Sequence, residues 1–373
     1  MKNFFTNDLL PEGFNVLLPD VASKEEYISR VILDFFSRNG YLLVKTPMME
    51  YEDKKSENTL KYLNNNSFML LENESKKVLI IRPDITPQVV KLASTKLRHL
   101  YRPLRLAYSG EVIRNIKNNY KSERQFKQIG VEVLGGPYYG SIEEILKTSI
   151  KVLSTLNIKN ITLDFSIPAI SRFIDKTLDT KKKSNKAIKE ALINKDTSVI
   201  KEKKYTYVNN LIFLSGSVEK AKKEFKKYNF PKTVHKMLDD FFKLSLTIKK
   251  KFPDLSITVD ITEGDSFLEY EKYGFKVYNK DNASPVAIGG DYKVNNNELG
   301  IGVTFLLNKI IESVKIKKQK KVYIPYTIKN KSIKIHRNFI QIKELFPKKN
   351  ARKEALKQGC DYMLKSNGEL EKV

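Results

Sequence analysis

RLAYSGEVIRNIKNNYKSERQFKQIGVEVLGG, residues 105–136, reads as a strand, a polar loop holding Lys117 to Lys121, and a second strand. In the second strand Arg124, Gln128 and Glu132 recur every four positions. Under the two-residue period of extended chain, Gln128, Gly130 and Glu132 share one face, and Ile129, Val131 and Val133 share the other. The first face offers an amide and a carboxylate. That pairing suits a ligand pocket and equally suits the polar side of a surface hairpin.

Upstream, VLIIRPDITPQVVKLAST at 78–95 predicts a strand, a turn and a helix with Thr86 as N-cap and Pro87 in the first turn. Asp84 is there either a turn residue or a carboxylate aimed at a ligand. Further upstream, Ser23 with Glu26 forms a capping box for a helix whose stripe is Ile28, Val31, Ile32, Phe35 and Phe36, ended by Gly40. YLLVKTPMMEYED, 41–53, follows as a strand. Downstream, Ser141 with Glu144 predicts a second capping box, and Ile142, Ile145, Leu146 and Leu153 line one helix face. ITLDFSI at 161–167 and SITVDIT at 256–262 alternate as strands. Between them, residues 168–252 are Lys-rich with a helical period. After KKQKK at 317–321, the tail predicts a strand at VYIPYTI, a helix at IQIKELF, and a short strand, helix and strand remnant in all.

The chain has 373 residues and a formal charge of +25. That length is enough for one large domain and smaller pieces. Its lysines are spread through many runs without alternating aromatics, which argues against a dedicated nucleic-acid stripe. Arginine is distributed differently: six of the eleven lie between Arg82 and Arg124, so an anionic ligand is expected there. The single Cys360 and the scattered His99, His235 and His336 show no metal-ligand spacing. No apolar run reaches the roughly 18 residues of a membrane span, and the amino terminus lacks a secretory pattern, so a cytoplasmic location is expected.

Arg114 followed by RQFKQIGVE, 124–132, resembles motif 2 of the class II aminoacyl-tRNA synthetase core, in the form shared by histidyl-tRNA synthetases and ATP phosphoribosyltransferase regulatory subunits. RPDIT at 82–86 resembles the RPEGT stretch of the synthetases, where the carboxylate and threonine meet the amino group of histidine; Asp84 and Thr86 stand there. The helix and strand from Ser23 to Glu50 resemble motif 1, the homodimer element. ELGIGVTFLLNKII, 298–311, is similar to motif 3, but Leu306, Asn308 and Lys309 replace its glycine, glutamate and arginine. Ile116 stands where motif 2 has a glutamate. EGDSFLEYEKYGFKVY, 263–278, matches the segment that bears a catalytic arginine in the synthetases, yet holds none, with Asp265 near that place. Tyr270 and Tyr273 are both candidates for its pocket tyrosine, and GGDY at 289–292 resembles the GGRYD that follows. The tail is shorter than the anticodon-binding domain, a module of about 100 residues.

The resemblance implies an α+β fold: a class II synthetase-like antiparallel sheet flanked by helices, with a helical insertion and a short C-terminal α/β remnant. Its divisions are 1–167 and 253–318 for the core, 168–252 for the insertion and 319–373 for the remnant. The three gaps point to the regulatory-subunit branch. That branch is non-catalytic and needs no cofactor, pairs with a short-form ATP phosphoribosyltransferase catalytic subunit in the first step of histidine biosynthesis, and carries histidine feedback. A homodimer is implied, with no membrane partner and no tRNA. Free histidine is expected on Asp84, Thr86, Arg114, Gln128, Glu132 and Tyr270 or Tyr273. A divergent histidyl-tRNA synthetase, or an RNA-binding synthetase paralogue, is the alternative.

Overall fold

The structure, a computed structural model, describes residues 10–52, 66–115, 123–177, 188, 190–198, 205–261, 270–280, 284–295, 297–315, 320–328 and 339–373. Ile116, Lys117 to Lys121, Asp265 and His336 lie outside the described residues. The chain divides into two compact units, Met1–Val314 and Lys315–Val373.

In chain order the first unit contains α1 (Pro19–Arg38), β1 (Leu42–Val44), β2 (Met49–Tyr51), β3 (Phe68–Leu71), β4 (Val78–Ile81), α2 (Thr86–Ser94), β5 (Leu104–Ile113) and β6 (Gln125–Leu134). Next come α3 (Tyr138–Thr155), β7 (Ile161–Ser166), α4 (Pro168–Thr177), α5 (Thr206–Ile212), β8 (Gly216–Ser217), α6 (Val218–Phe225) and α7 (Lys232–Lys251). The unit ends with β9 (Ser256–Val259), β10 (Gly274–Asn279), β11 (Ala287–Asn295), β12 (Glu298–Leu306) and α8 (Leu307–Ser313).

Among the described residues the main sheet has the order β1-β5-β6-β12-β11-β10-β7-β9-β8. Its centre is antiparallel from β5 to β7. The wholly antiparallel expectation does not extend to two outer pairs, β1 with β5 and β7 with β9, which are parallel. Each joins segments separated by long crossover connections, which a parallel pair requires and side-chain alternation does not reveal.

The alternation of β6 comes out as two different environments. Ile129, Val131 and Val133 enter an apolar layer with α1 residues Ile28, Ile32 and Phe36 and α3 residues Ile142, Ile145 and Leu146. On the opposite face Ile85 and Val89 cover Leu106 and Tyr108. That second face holds the polar residues considered below.

Both capping boxes are corrected. α1 starts at Pro19, with Leu18 extended before it, so Ser23 is already inside the helix; proline fixes the φ of a first turn and gives up only an N–H that has no helical partner there. α3 starts at Tyr138 after Pro137, and the Ser141 N–H bonds the Pro137 carbonyl at 2.9 Å as an interior residue. Gly40 does end α1, at φ +82° directly after the C-cap Asn39. YLLVKTPMMEYED is not one strand: β1 joins the main sheet, while β2 pairs with β4 in a separate sheet ordered β2-β4-β3.

The second unit contains β13 (Lys320–Ile324), β14 (Phe339–Lys343), α9 (Ala351–Lys357), β15 (Tyr362–Leu364) and β16 (Leu370–Lys372). Their sheet order is β14-β13-β15-β16. The helix expected at IQIKELF is instead mostly β14, paired in parallel with β13. Its few apolar residues fit a helical or an extended period equally, and the ladder of β13 decides.

No helix among the described residues is long and apolar enough to cross a membrane. Among them, too, no group of three His, Cys, Asp or Glu side chains is placed to hold a metal ion.

Candidate functional site: a buried glutamate and a neighbouring aspartate over a glycine floor

One transverse row of the sheet reads Leu106, Glu132, Gly302, Gly290, Gly274 and Ser166 across β5, β6, β12, β11, β10 and β7. Directly paired residues point to the same face, so three adjacent glycines leave a floor on which larger side chains lie flat. A methyl on Gly302 would overlap the Glu132 carboxylate, and one on Gly290 would overlap the Tyr270 ring. Glu132 and Tyr270 therefore lie side by side over this floor.

Glu132 is fully buried. The Tyr292 hydroxyl donates to its Oε2 at 2.6 Å, and the Thr86 hydroxyl donates to its Oε1 at 3.1 Å. Burial outweighs those two donors and pushes its carboxyl up to about 8. Tyr108 bridges Thr86, at 3.0 Å, and Thr304, at 2.7 Å, and closes a chain of hydroxyls beneath the acid.

Asp84 forms the adjoining wall. Its Oδ1 accepts the Thr86 N–H at 2.9 Å, and its Oδ2 accepts from Gln128 Nε2 at 3.2 Å and Arg114 Nη2 at 3.4 Å. The N-cap of α2 is Ile85, whose side chain makes no capping bond; Asp84 takes the first helical N–H, and the Thr86 side chain, expected as the N-cap, turns inward to Glu132. Gln128 is completely buried, and its Oε1 takes the Ile85 N–H at 3.1 Å. It fixes the turn that presents Asp84. Arg114 also donates to the Pro83 carbonyl at 3.0 Å and lies over the Phe126 ring at 4.8 Å.

The two candidate tyrosines separate. Tyr270 is buried beside the acids, where burial first, then Asp84 and Glu132, hold its phenol proton on. Tyr273 points into the aromatic core among Phe165, Phe241 and Tyr138.

Four of the six clustered arginines are engaged by the protein itself. Arg82 bonds the Glu111 carbonyl and Thr46, Arg102 pairs with Glu298 at 2.5 Å, and Arg105 forks onto Glu144 with two bonds of 2.7 Å. Arg124 donates to the Arg114 carbonyl and stacks over Phe68. These planar forks tie loops and helices to the sheet, a use that sequence clustering cannot tell from ligand binding. Reading the sequence also missed Tyr108, Tyr292 and Thr304. Their signal was the recurrence of glycine beside aromatic residues on three apolar strands.

With Asp84 paired to Arg114, the second acid is left to meet an incoming group. The histidyl-tRNA synthetase family profile matches residues 13–310. The chain belongs to the histidyl-tRNA synthetase family. Within that family it is 25% identical over 369 residues to the ATP phosphoribosyltransferase regulatory subunit of Paramagnetospirillum magneticum, covering 97% of each chain. Two solved structures share the family fold at lower identity. One is an ATP phosphoribosyltransferase regulatory subunit/histidyl-tRNA synthetase from Bacillus halodurans, with a TM-score of 0.75 and 17% identity over 95% of this chain and 97% of the other. The other is the ATP phosphoribosyl transferase (HisG:HisZ) complex from Thermotoga maritima, with a TM-score of 0.58 and 18% identity over 76% of this chain and 97% of the other.

Proposed function

We propose that the chain is a non-catalytic regulatory subunit of ATP phosphoribosyltransferase, that it acts with a short catalytic subunit in the first step of histidine biosynthesis, and that free histidine occupies the Asp84–Glu132 pocket as its feedback effector. The observation that carries this reading is the buried Glu132 over the glycine floor, with the partly buried Asp84 beside it, in a chain whose curated relatives bear the regulatory-subunit name. Asp84 with the Thr86 hydroxyl oxygen forms the ammonium end and Glu132 the imidazole end, while Gln128 and Arg114 take the remaining polar edges and the carboxylate. Histidine regulates only to the extent that it binds one conformation of the assembly more tightly than another.

The neighbourhood of motif 3 supports the loss of aminoacylation. Lys309 is paired with Glu312 at 3.3 Å, and the Asn308 amide bonds Glu123. Neither offers the planar fork that a synthetase arginine brings to phosphate.

Co-expression with a short ATP phosphoribosyltransferase catalytic subunit is expected to yield a stable complex whose activity falls on adding histidine. The pure chain is expected to show no histidine-dependent ATP–pyrophosphate exchange. Separate elution of the two chains, or measurable exchange, refutes the assignment and returns the family's synthetase reading.

We also propose a homodimer through the first helix and strands. Leu17 and Leu18 ahead of α1, Val21 within it, Leu42 and Leu43 of β1, and Met49 and Tyr51 of β2 expose apolar surface. Light scattering at micromolar concentration should give a dimer mass; a monomer there counts against this surface.

A further inference from the structure

Tyr270 is held over the glycine floor by residues that lie outside the pocket. Arg172 of α4 donates through Nη1 to the Tyr270 carbonyl at 2.6 Å, and its Nη2 lies 3.7 Å from Glu271. Asp291 of β11, fully buried, grips the next two residues: its Oδ1 accepts the Tyr273 N–H at 2.7 Å and the Lys272 N–H at 3.0 Å. Backbone bonds from Glu271 to the Asp291 carbonyl and from Asp291 to the Tyr273 carbonyl complete the clamp. The Lys272 ammonium then reaches α7, 3.3 Å from Asp240, and sits 5.1 to 5.3 Å from the rings of Tyr138, Tyr139 and Tyr273.

Residues 270–273 thus touch the pocket on one side and two helices of the 168–252 stretch on the other. Glu132 lies over Gly302 and the Tyr270 ring over the paired Gly290, so a ligand that draws in the carboxylate meets the tyrosine ring as well. A shift of that ring moves the carbonyl that Arg172 holds. Packed elements of this kind shift as units instead of deforming smoothly.

We propose that Arg172 and Lys272 are positioning residues, and that the segment Tyr270–Tyr273 is a latch coupling occupancy of the pocket to α4 and α7. The proposal rests on the histidine reading of the pocket, and its partner side is the pair of helices through which an occupied pocket is felt at the surface. Arg172 touches no ligand. It acts only by fixing the Tyr270 carbonyl, and Lys272 acts by fixing α7 against the same segment.

The test is amide hydrogen exchange followed by mass spectrometry, with and without histidine, on the full chain and on Arg172→Met, Arg172→Lys and Lys272→Met. Calorimetric histidine titration and thermal unfolding are run on each. Without ligand, Arg172→Met is expected to speed exchange at residues 271–273 while the unfolding midpoint stays near that of wild type; Arg172→Lys, which keeps a donor, restores slow exchange. With histidine, wild type is expected to gain protection in α4 and α7 as well as around Asp84 and Glu132. Arg172→Met should bind histidine about fivefold or more weakly, at the low end of typical coupling, and lose the α4 response; Lys272→Met should lose the α7 response. If wild type is protected around the pocket while α4 and α7 stay indifferent, or if Arg172→Met matches wild type in affinity, the latch is overturned and the pocket reading stands. If wild type gains no protection at the pocket, the histidine reading falls and takes the latch with it.

Discussion

Calorimetric titration of histidine is expected to show clear binding to the wild-type chain and binding weakened roughly tenfold to a hundredfold in both Asp84→Ala and Glu132→Ala. A charge-assisted contact in a buried site contributes about 1.5 to 3 kcal/mol, and each 1.4 kcal/mol is a factor of about ten. The two losses have different structural backgrounds. Asp84 also accepts the Thr86 N–H and pairs with Arg114, so Asp84→Ala removes the start of α2 together with the ligand contact. Asp84→Asn keeps an acceptor for Thr86 and separates the two effects: it should retain the unfolding midpoint and still lose affinity. Glu132→Gln keeps the shape that fills the space over Gly302 and removes the acidic proton, so no carboxylate can form against the ligand. Affinity unchanged in both alanine variants, or no binding to wild type, means that the pocket survives only as scaffold.

What sequence could specify here was the local alternation. Gln128 and Glu132 fall on the polar face of β6, and Ile129, Val131 and Val133 on the apolar one, as the two-residue period requires. The stripe of α1 was legible for the same reason. Helix starts were not, because Ser23 and Ser141 fit a capping box locally, while Pro19 and Tyr138 open the helices a turn earlier. The site was legible in its acids and obscure in its support. Asp84, Thr86, Gln128 and Glu132 do meet, but Gln128 serves the turn at Ile85. Arg172 and Asp291 are far from the acids in sequence and reach Tyr270 and the Lys272–Tyr273 stretch respectively only through backbone atoms, and a bond to a carbonyl or an N–H leaves no pattern in residue types. Glycines 274, 290 and 302 carried a signal of close approach whose meaning depends on sheet register, and register across four strands is a property of the folded chain.

The stability of the ligand-free chain is expected to fall as pH rises from about 5 to about 9, by more in wild type than in Glu132→Gln. Glu132 is buried against hydroxyl donors, and burial moves its carboxyl from 4.5 to about 8 on folding. The folded state therefore holds a proton that the unfolded chain releases above pH 4.5. A raised folded value contributes stability that is fully present below the unfolded value and is lost as pH passes through the folded one. At about 1.4 kcal/mol per pKa unit, the difference is on the order of 3 to 5 kcal/mol for this group alone. Other groups, including Asp291, whose carboxyl is also raised by burial, titrate in both proteins and cancel in the comparison. Urea unfolding at pH 5, 7 and 9 measures it: wild type should lose several kcal/mol relative to Glu132→Gln across that range. Parallel curves would mean that Glu132 is ionised and satisfied in the empty protein. A neutral carboxyl at pH 7 has a functional consequence as well. If histidine binds as proposed, this carboxyl hands its proton to the incoming neutral imidazole with no net proton taken from solvent, and the binding enthalpy near pH 7 should not depend on the ionisation heat of the buffer.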